Sequence, residues 1–436
     1  MIKRSVVACL LASQLVGWPS SAAPALSAEE RKLNEDSFEY VWTTIRDKYW
    51  DAAIGGLDWK GVHDRLRPEI EKAHSMGEAR KVLEKMLAEL RLTHFEIIPQ
   101  DAYSDIGEES APAGNGVTGI DVRVVDRQAL VTRIDDDSPA ALEHVKPGWE
   151  IVRAGKTRLA PVIAKVEGAY EHSSLKGLVL RLAVASRLQG FPGDDLEVEF
   201  RAADGKPIIK KIRLAQPKGT LSKFGFLPAS YVWIDSKKLA GDIEYIQFNM
   251  FLDPAHLMAR FADAVKSCLN CRGFVLDLRG NPGGIGAMAM GMASWFVDGE
   301  GERLGTLYLR DSKLSFVISP RPTVFAGPLA ILVDETSAST SEILAGGLKD
   351  LKRAHIFGTR TAAAALPSAI EMLPNGDGFQ YAMANYVSQG GKPLEGIGVS
   401  PDVEAPLTRE ALLAGKDPAL DAAVNWIQSA KEGTSQ

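Results

Sequence analysis

The chain has 436 residues, of which 45% are hydrophobic and 24% charged, with a net charge of −6. That length allows two or three domains with full cores. The acidic balance and the lack of a long basic run argue against nucleic acid as a partner.

The first elements read as a secretory signal. Lys3 and Arg4 precede a short apolar stretch, Ser5 to Trp18, and small residues from Ser20 to Ala23 offer a cleavage site. The stretch is too short for a comfortable membrane span, and no later segment is long and apolar enough, so stable membrane insertion is not expected. Cys9 lies inside the stretch, not at its end, which speaks against a lipid-anchored cysteine. The mature chain is expected to be exported, to the periplasm or the medium, with residues 1–28 as the signal and immediate mature N-terminus.

A helical region follows, over 29–108. Phe38, Val41, Trp42, Ile45 and Tyr49 recur at helical spacing, as do Val62, Leu66 and Ile70, and then Ala79, Val82, Leu83, Met86 and Leu90. Leu92–Ile98 looks like a short strand carrying His94, and Asp101–Gly114 reads as a linker. From 109 to 215 the pattern is strand-rich. Gly119–Val124 and Ala129–Ile134 alternate, Ser138-Pro139-Ala140-Ala141 starts a short helix, and Leu196–Phe200 and Ile208–Leu214 give two more strands. The order of these elements resembles a PDZ domain. That resemblance implies a carboxylate-binding loop at Val117, Thr118, Gly119 and Ile120, whose amides would hold a peptide end. Trp149 stands where that family has an acidic residue, and a small β domain with no peptide affinity is the rival reading.

Residues 216–410 alternate strands with helices, an α/β core, and 411–436 form a C-terminal helix and tail. Two strand-loop-helix units stand out. Gly273–Leu278 is a buried strand, Arg279–Gly284 a loop, and a helix follows through Met288, Met292 and Trp295. Leu329–Val333 is a second strand, and Ser337–Glu342 leads into a second helix. Loops of this kind gather at the C-terminal edge of a parallel sheet, where ligands bind. A serine at such a junction can be a nucleophile beside a helix N-terminus, although Ser339-x-x-Glu342 also fits a capping box, with Glu342 as the cap. Gly283 and Gly284 allow close backbone approach, and with the Thr340 N–H they could form an oxyanion hole. A phosphate cradle is disfavoured, because Pro282 removes a donor and no Gly-Lys-Ser/Thr follows. A nucleophilic serine needs a base. His63, His74, His144, His172 and His256 read as surface or capping residues, while His94 and His355 compete evenly. Cys268 and Cys271 follow a helix, so a local disulfide or two quiet thiols is expected, not a redox centre. No histidine pair has metal-ligand spacing, and no metal or organic cofactor is expected.

Asp277–Gly284 followed by Ser337–Glu342 resembles the C-terminal (tail-specific) processing proteases and the catalytic region of tricorn protease. The resemblance covers nearly all of the mature chain, including Gly396-Ile397-Gly398-Val399-Ser400-Pro401-Asp402. It implies a crotonase-like α/β core with an N-terminal helical region and an inserted PDZ-like domain, and serine-protease activity with Ser339 as nucleophile. Processing proteases use a serine–lysine dyad. Their lysine position matches Ala364, inside Ala362–Ala365, and no lysine occurs between Lys352 and Lys392. Arg360 cannot substitute, because arginine stays protonated. The tricorn branch uses Ser-His-Glu instead. Its histidine follows a small hydroxyl residue, which matches Thr93-His94, and its glutamate points to Glu395. Asp350 and Asp402 read as structural contacts. The expected partner is a peptide or unfolded protein tail, with the oligomeric state undetermined. Two alternatives stay open: a non-catalytic peptide or hydrophobic-ligand binder on the same fold, and a carboxyl esterase using the same residues.

Overall fold

The structure is a computed structural model, and it describes residues 26–100, 115–171 and 173–430. The signal and the expected linker lie outside the described residues. Three helices, Ala28–Lys48, Trp59–Glu71 and Met76–Ala88, form the N-terminal region. Each starts on a side-chain cap, from Ser27, Asp58 and Ser75. Their apolar faces do not close on one another alone. Phe38, Val41, Ile45, Leu83 and Met86 share a core with Leu366, Leu373, Phe379 and Tyr381, some 300 residues on. The short strand Glu96–Ile98 pairs antiparallel with Gly378–Ala382, Glu96 opposite Gln380. Buried Asp377 accepts from Arg80 at 2.8 Å and from the Gln100 N–H at 2.8 Å. The helical region is thus fastened to the core just after His94.

The strand expected over Leu92–Ile98 is shorter than its apolar pattern suggested. Only Glu96–Ile98 is extended, and His94 occupies the preceding bend with φ 61°. A residue in the left-handed region cannot continue a strand, and that bend turns the imidazole inward.

The next unit has a six-stranded antiparallel sheet, in the order Ile120–Val125, Gln128–Ile134, Glu150–Ala154, Asp195–Arg201 and Pro207–Arg213 with the short Thr157–Arg158 paired beside Glu150–Ala154, and helices Leu159–Ala169 and Lys176–Ala185. Val122, Val131, Ile151, Val198 and Phe200 form its own core. Neither of its two longer helices was marked out in the sequence pattern. The second sits at the site: Leu175 and Leu178 pack on Ala338, Ala362 and Ala364.

The core sheet runs Ile234–Leu239, Ile243–Phe248, Gly273–Asp277, Leu329–Val333, His355–Gly358 and Val403–Glu404. The first strand is antiparallel to its neighbour and the remaining strands are parallel. Gly273–Asp277 and Leu329–Val333 are buried throughout, as a sheet covered on both faces requires. Helices Pro254–Lys266, Gly286–Ala293 and Thr340–Asp350 cover one face. Ala419, Ala423 and Ile427 of the C-terminal helix pack against Ile243, Val275 and Leu332 on the other. Cys268 and Cys271 are joined in a disulfide between a helix end and a strand start.

Candidate active site

Three serines alternate at the end of the strand Leu329–Val333, and the outer two are committed. Ser337 donates its hydroxyl to the Leu278 carbonyl at 2.8 Å, and Ser341 donates to the Asn281 carbonyl at 3.0 Å. With the Ala338 N–H, also on Asn281 O at 3.1 Å, they fasten the serine loop to the Arg279–Gly284 loop. Asp334 completes the join, accepting from Thr336 N–H at 2.9 Å and Gly280 N–H at 3.3 Å. Ser339 is left at the apex with φ 55° and ψ −116°. A non-glycine residue there is strained, and such strain gathers at active sites. The Ser339 hydroxyl caps nothing. The helix start is held by the Ser339 carbonyl, which accepts from Glu342 N–H at 2.9 Å, while the Glu342 carboxylate returns to the Ser339 N–H at 3.0 Å. Glu342 is therefore the cap expected from the sequence.

The Arg279–Gly284 loop lies against this apex. Gly283 has φ 99°, and a Cβ there would come within 2.7 Å of Ser339 Cβ and 2.8 Å of Thr340 N, so only glycine fits. Its own N–H, however, is donated to Asn281 Oδ1 at 2.9 Å. Of the three amides expected to form an oxyanion hole, Gly283 is thus engaged elsewhere. Those of Gly284 and Thr340 have no partner among the described residues.

His94 and Glu395 come together through Thr93. Glu395 accepts from Thr93 N–H and Thr93 Oγ1, both at 3.0 Å, and Thr93 Oγ1 lies 2.7 Å from His94 Nδ1. Since the Thr93 hydroxyl donates to Glu395, its lone pair is left to accept Nδ1–H. That places the imidazole proton on Nδ1 and leaves Nε2 bare. Nε2 is buried without a hydrogen-bond partner among the described residues. Burial pushes the imidazole down to about 4, so it is neutral at ordinary pH. Burial likewise raises Glu395, opposed by its three donors.

One peptide group joins this triplet to the serine. The Ser339 N–H donates to the Ala364 carbonyl at 2.8 Å, and the Ala365 N–H of the same peptide donates to Glu395 Oε2 at 3.0 Å. Ser339 and the Glu395-Thr93-His94 series thus meet at opposite ends of the Ala364–Ala365 bond. The Ser339 hydroxyl and His94 Nε2 are not hydrogen-bonded in this state. Ala364, which the resemblance matched to the dyad lysine, is fully buried and packs with Leu175 and Leu178. Arg360 points away, donating to the Gly396 carbonyl at 2.9 Å and to that of Ile397.

Other expected residues lie apart. His355 stacks on Trp426, 4.9 Å between ring centres, behind the sheet. Asp350 accepts from Gly390 N–H and Asp402 from Ile356 N–H, so both hold turns. At Val117–Ile120, Val117 exchanges backbone bonds with Ala215, and Ile120 N–H reaches Thr118 Oγ1 at 3.3 Å. The Thr118 and Gly119 amides have no partner among the described residues. A residue the sequence did not single out is Arg123, buried at the insert's contact with the core. It donates to Asp334 at 2.8 Å and to Asp121 at 3.0 Å. A cavity of about 500 Å³ beside it is lined by Arg133, Tyr245, Glu335 and Leu412 but not by Ser339.

A strained serine between a glycine loop and a helix N-terminus, with a neutral histidine nearby, defines an acyl-transfer hydrolase of α/β fold. Comparison with known proteins places two stretches of the chain among proteases. The Peptidase family S41 model matches residues 242–405 and the Tricorn protease C1 domain model matches residues 31–88. The C-terminal processing peptidase, chloroplastic, of Tetradesmus obliquus is 27% identical over 398 residues, spanning 88% of this chain and 79% of its own. Tricorn protease homolog 1 of Streptomyces coelicolor is 24% identical over 420 residues, 94% of this chain and 36% of its own. Among solved structures, the photosystem II D1 C-terminal processing protease superposes with a TM-score of 0.58 at 22% identity, covering 92% of this chain and 97% of that one. Mature CPAF does so with a TM-score of 0.61 at 14% identity, covering 92% and 97%. Residues 242–405 are thus a Peptidase family S41 domain and residues 31–88 a Tricorn protease C1 domain, and the chain is a serine peptidase.

Proposed function

We propose that this chain is an exported peptidase that cleaves peptides or unfolded protein tails through an acyl-enzyme on Ser339, with His94 as base. The observation that carries the assignment is the single Ala364–Ala365 peptide, bonded to Ser339 at one end and to the carboxylate of the Glu395-Thr93-His94 series at the other. In this reading Ser339 Oγ attacks the scissile carbonyl carbon while its proton passes to His94 Nε2. The carbonyl oxygen, now negative, takes the Gly284 and Thr340 amides. As the intermediate collapses, His94 returns the proton to the leaving amine, and a water activated at Nε2 then releases the acyl group. Glu395 keeps the Thr93 hydroxyl turned toward itself, so that Thr93 Oγ1 can hold Nδ1–H and stabilise the imidazolium that forms. The route needs no lysine, in keeping with Ala364. A rotation bringing Ser339 Oγ to Nε2 precedes catalysis; such contacts commonly tighten only once substrate is bound.

The finer architecture belongs to the same proposal: a crotonase-like core, a PDZ-like insert whose Thr118 and Gly119 amides receive a peptide end, and removal of the signal near Ala23. A fluorophosphonate probe should label Ser339, located by peptide mass mapping. Ser339→Ala should lose cleavage by ~10³-fold or more, and turnover surviving in that variant would overturn the assignment. N-terminal sequencing of the exported protein tests the signal.

A further inference from the structure

We infer that Glu342 is the positioning residue of the nucleophile: its ionised carboxylate pins the strained backbone of Ser339 to the segment Thr361–Ala364, and the serine is competent only while that carboxylate is charged. This rests on Ser339 being the nucleophile. A cap needs one bond, to Ser339 N–H. Glu342 accepts three more, from residues 19 to 22 positions further on. Oε2 takes Ser339 N–H at 3.0 Å and Ala364 N–H at 2.9 Å. Oε1 takes Thr361 Oγ1 at 2.5 Å and Ala363 N–H at 2.9 Å. Two of these amides belong to residues in the left-handed region, Ser339 with φ 55° and Ala363 with φ 56°. Strained backbone persists only where its surroundings over-determine it, and here one carboxylate holds both strained residues.

All four partners donate, which suits an anion with its full acceptor capacity. A protonated Glu342 would have to place its own O–H among them. The one oxygen in the ring, Thr361 Oγ1, already accepts the Val399 N–H at 2.7 Å. Protonation therefore reverses the Thr361 bond or breaks a backbone contact to Ser339 or Ala363. Burial pushes the carboxyl up to about 7, with the four hydrogen bonds opposing. The charged and titratable groups on the packed segments face elsewhere. Glu395 and His94 lie beyond Ala365, Arg360 bonds the carbonyls of residues 396 and 397, and Lys349 bonds Ser400 O at the far end of the helix. His94 is held neutral down to about 4, so an acid limb of activity near 7 does not belong to the base; burial raises Glu395 as well, and the limb belongs to Glu342 only where Glu342→Gln removes it.

The test is the pH profile of kcat/KM and of fluorophosphonate labelling between pH 4 and 9. Wild type should lose activity as pH falls through about 7, reading Glu342. Glu342→Gln should lower kcat on the order of 10- to 100-fold with KM changed less than threefold, as expected of an interaction that acts in the transition state, and should abolish the limb near 7. Glu342→Asp should restore the limb with part of the rate. A residue that only stabilises the fold would lower the active fraction and leave the limb in place. A wild-type limb near 4, or Glu342→Gln with wild-type kcat and profile, overturns the inference. If Glu342→Gln does not fold, the wild-type labelling profile decides. If Ser339→Ala retains turnover, the proposed nucleophile is wrong; if Ser339→Ala is dead and Glu342→Gln normal, only the role of Glu342 fails.

Discussion

A buried glutamate, Glu342, and a half-buried one, Glu395, stand on either side of Ser339, and in the proposed mechanism they do different work with the same chemistry. Glu342 binds three backbone amides and one hydroxyl on the Ser339 side, and three of its four bonds fix a main-chain conformation. Glu395 binds Thr93 and Ala365 on the base's side, and its effect reaches the imidazole through a hydroxyl. The first carboxylate lies on the serine helix, one turn from Ser339. The second arrives in a loop more than 50 residues later. Both are raised by burial, so both sites give up some stability to keep a charge where it is useful.

The contrast can be broken from either side. Glu395→Gln, which leaves an amide opposite the Thr93 hydroxyl, should cost on the order of 10³-fold in kcat, read by peptide turnover. Labelling of Ser339 should slow in step, because the base is disordered while the serine loop is intact. Arg123→Met tests whether the insert supports that loop. It leaves Asp334 buried without its cation, which should cost about 3–5 kcal/mol of stability by thermal or denaturant unfolding, with Asp334's contacts to Thr336 and Gly280 loosened. Thr93→Val keeps the shape but removes the hydroxyl. It should reduce kcat by roughly 10- to 100-fold while Glu395→Gln on top of it adds little, since the two act as one unit. Thr93→Ser should restore most of the rate.

The smallest effect is on stability against pH. The Glu342 carboxyl is held above its ordinary 4.5, so its contribution to stability is fully present below 4.5 and lost as pH rises through about 7. His94 is held below its ordinary 6.5, so its contribution is present above 6.5 and lost as pH falls through about 4. Between those limits the two slopes oppose. In Glu342→Gln the falling slope toward pH 7 should lessen in the melting temperature, the remainder belonging to Glu96, Glu335 and Glu395, which burial also raises, while the His94 slope remains.

Much of this was legible in residues close together in the chain. The strand, small-residue turn and helix around Ser339 follow from a buried apolar run ending in Asp334, whereas the need for glycine at 283 shows only once the fold packs it against Ser339. The three N-terminal helices follow from their spacing and caps. Which of Ser337, Ser339 and Ser341 is committed depended on carbonyls of another loop. The sequence pattern left His94 level with His355; the fold places Thr93 and Glu395 at the first and Trp426 against the second. The extended reading of His94 failed because apolar neighbours favour a strand, while the positive φ is imposed by tertiary bonds to Thr93.

By itself, then, the order of residues determined the local pieces: helices, buried strands, glycine turns and a serine at a helix start. These depend on periodicity, capping and the steric needs of single residues, which act over a few positions. Only the tertiary structure decided which groups meet. The peptide bond at Ala364–Ala365 joins Ser339 to Glu395, and Leu178 of the helix Lys176–Ala185 packs with Ala364. Such meetings are set by how separate cores pack, and packing joins positions that no spacing in the chain relates.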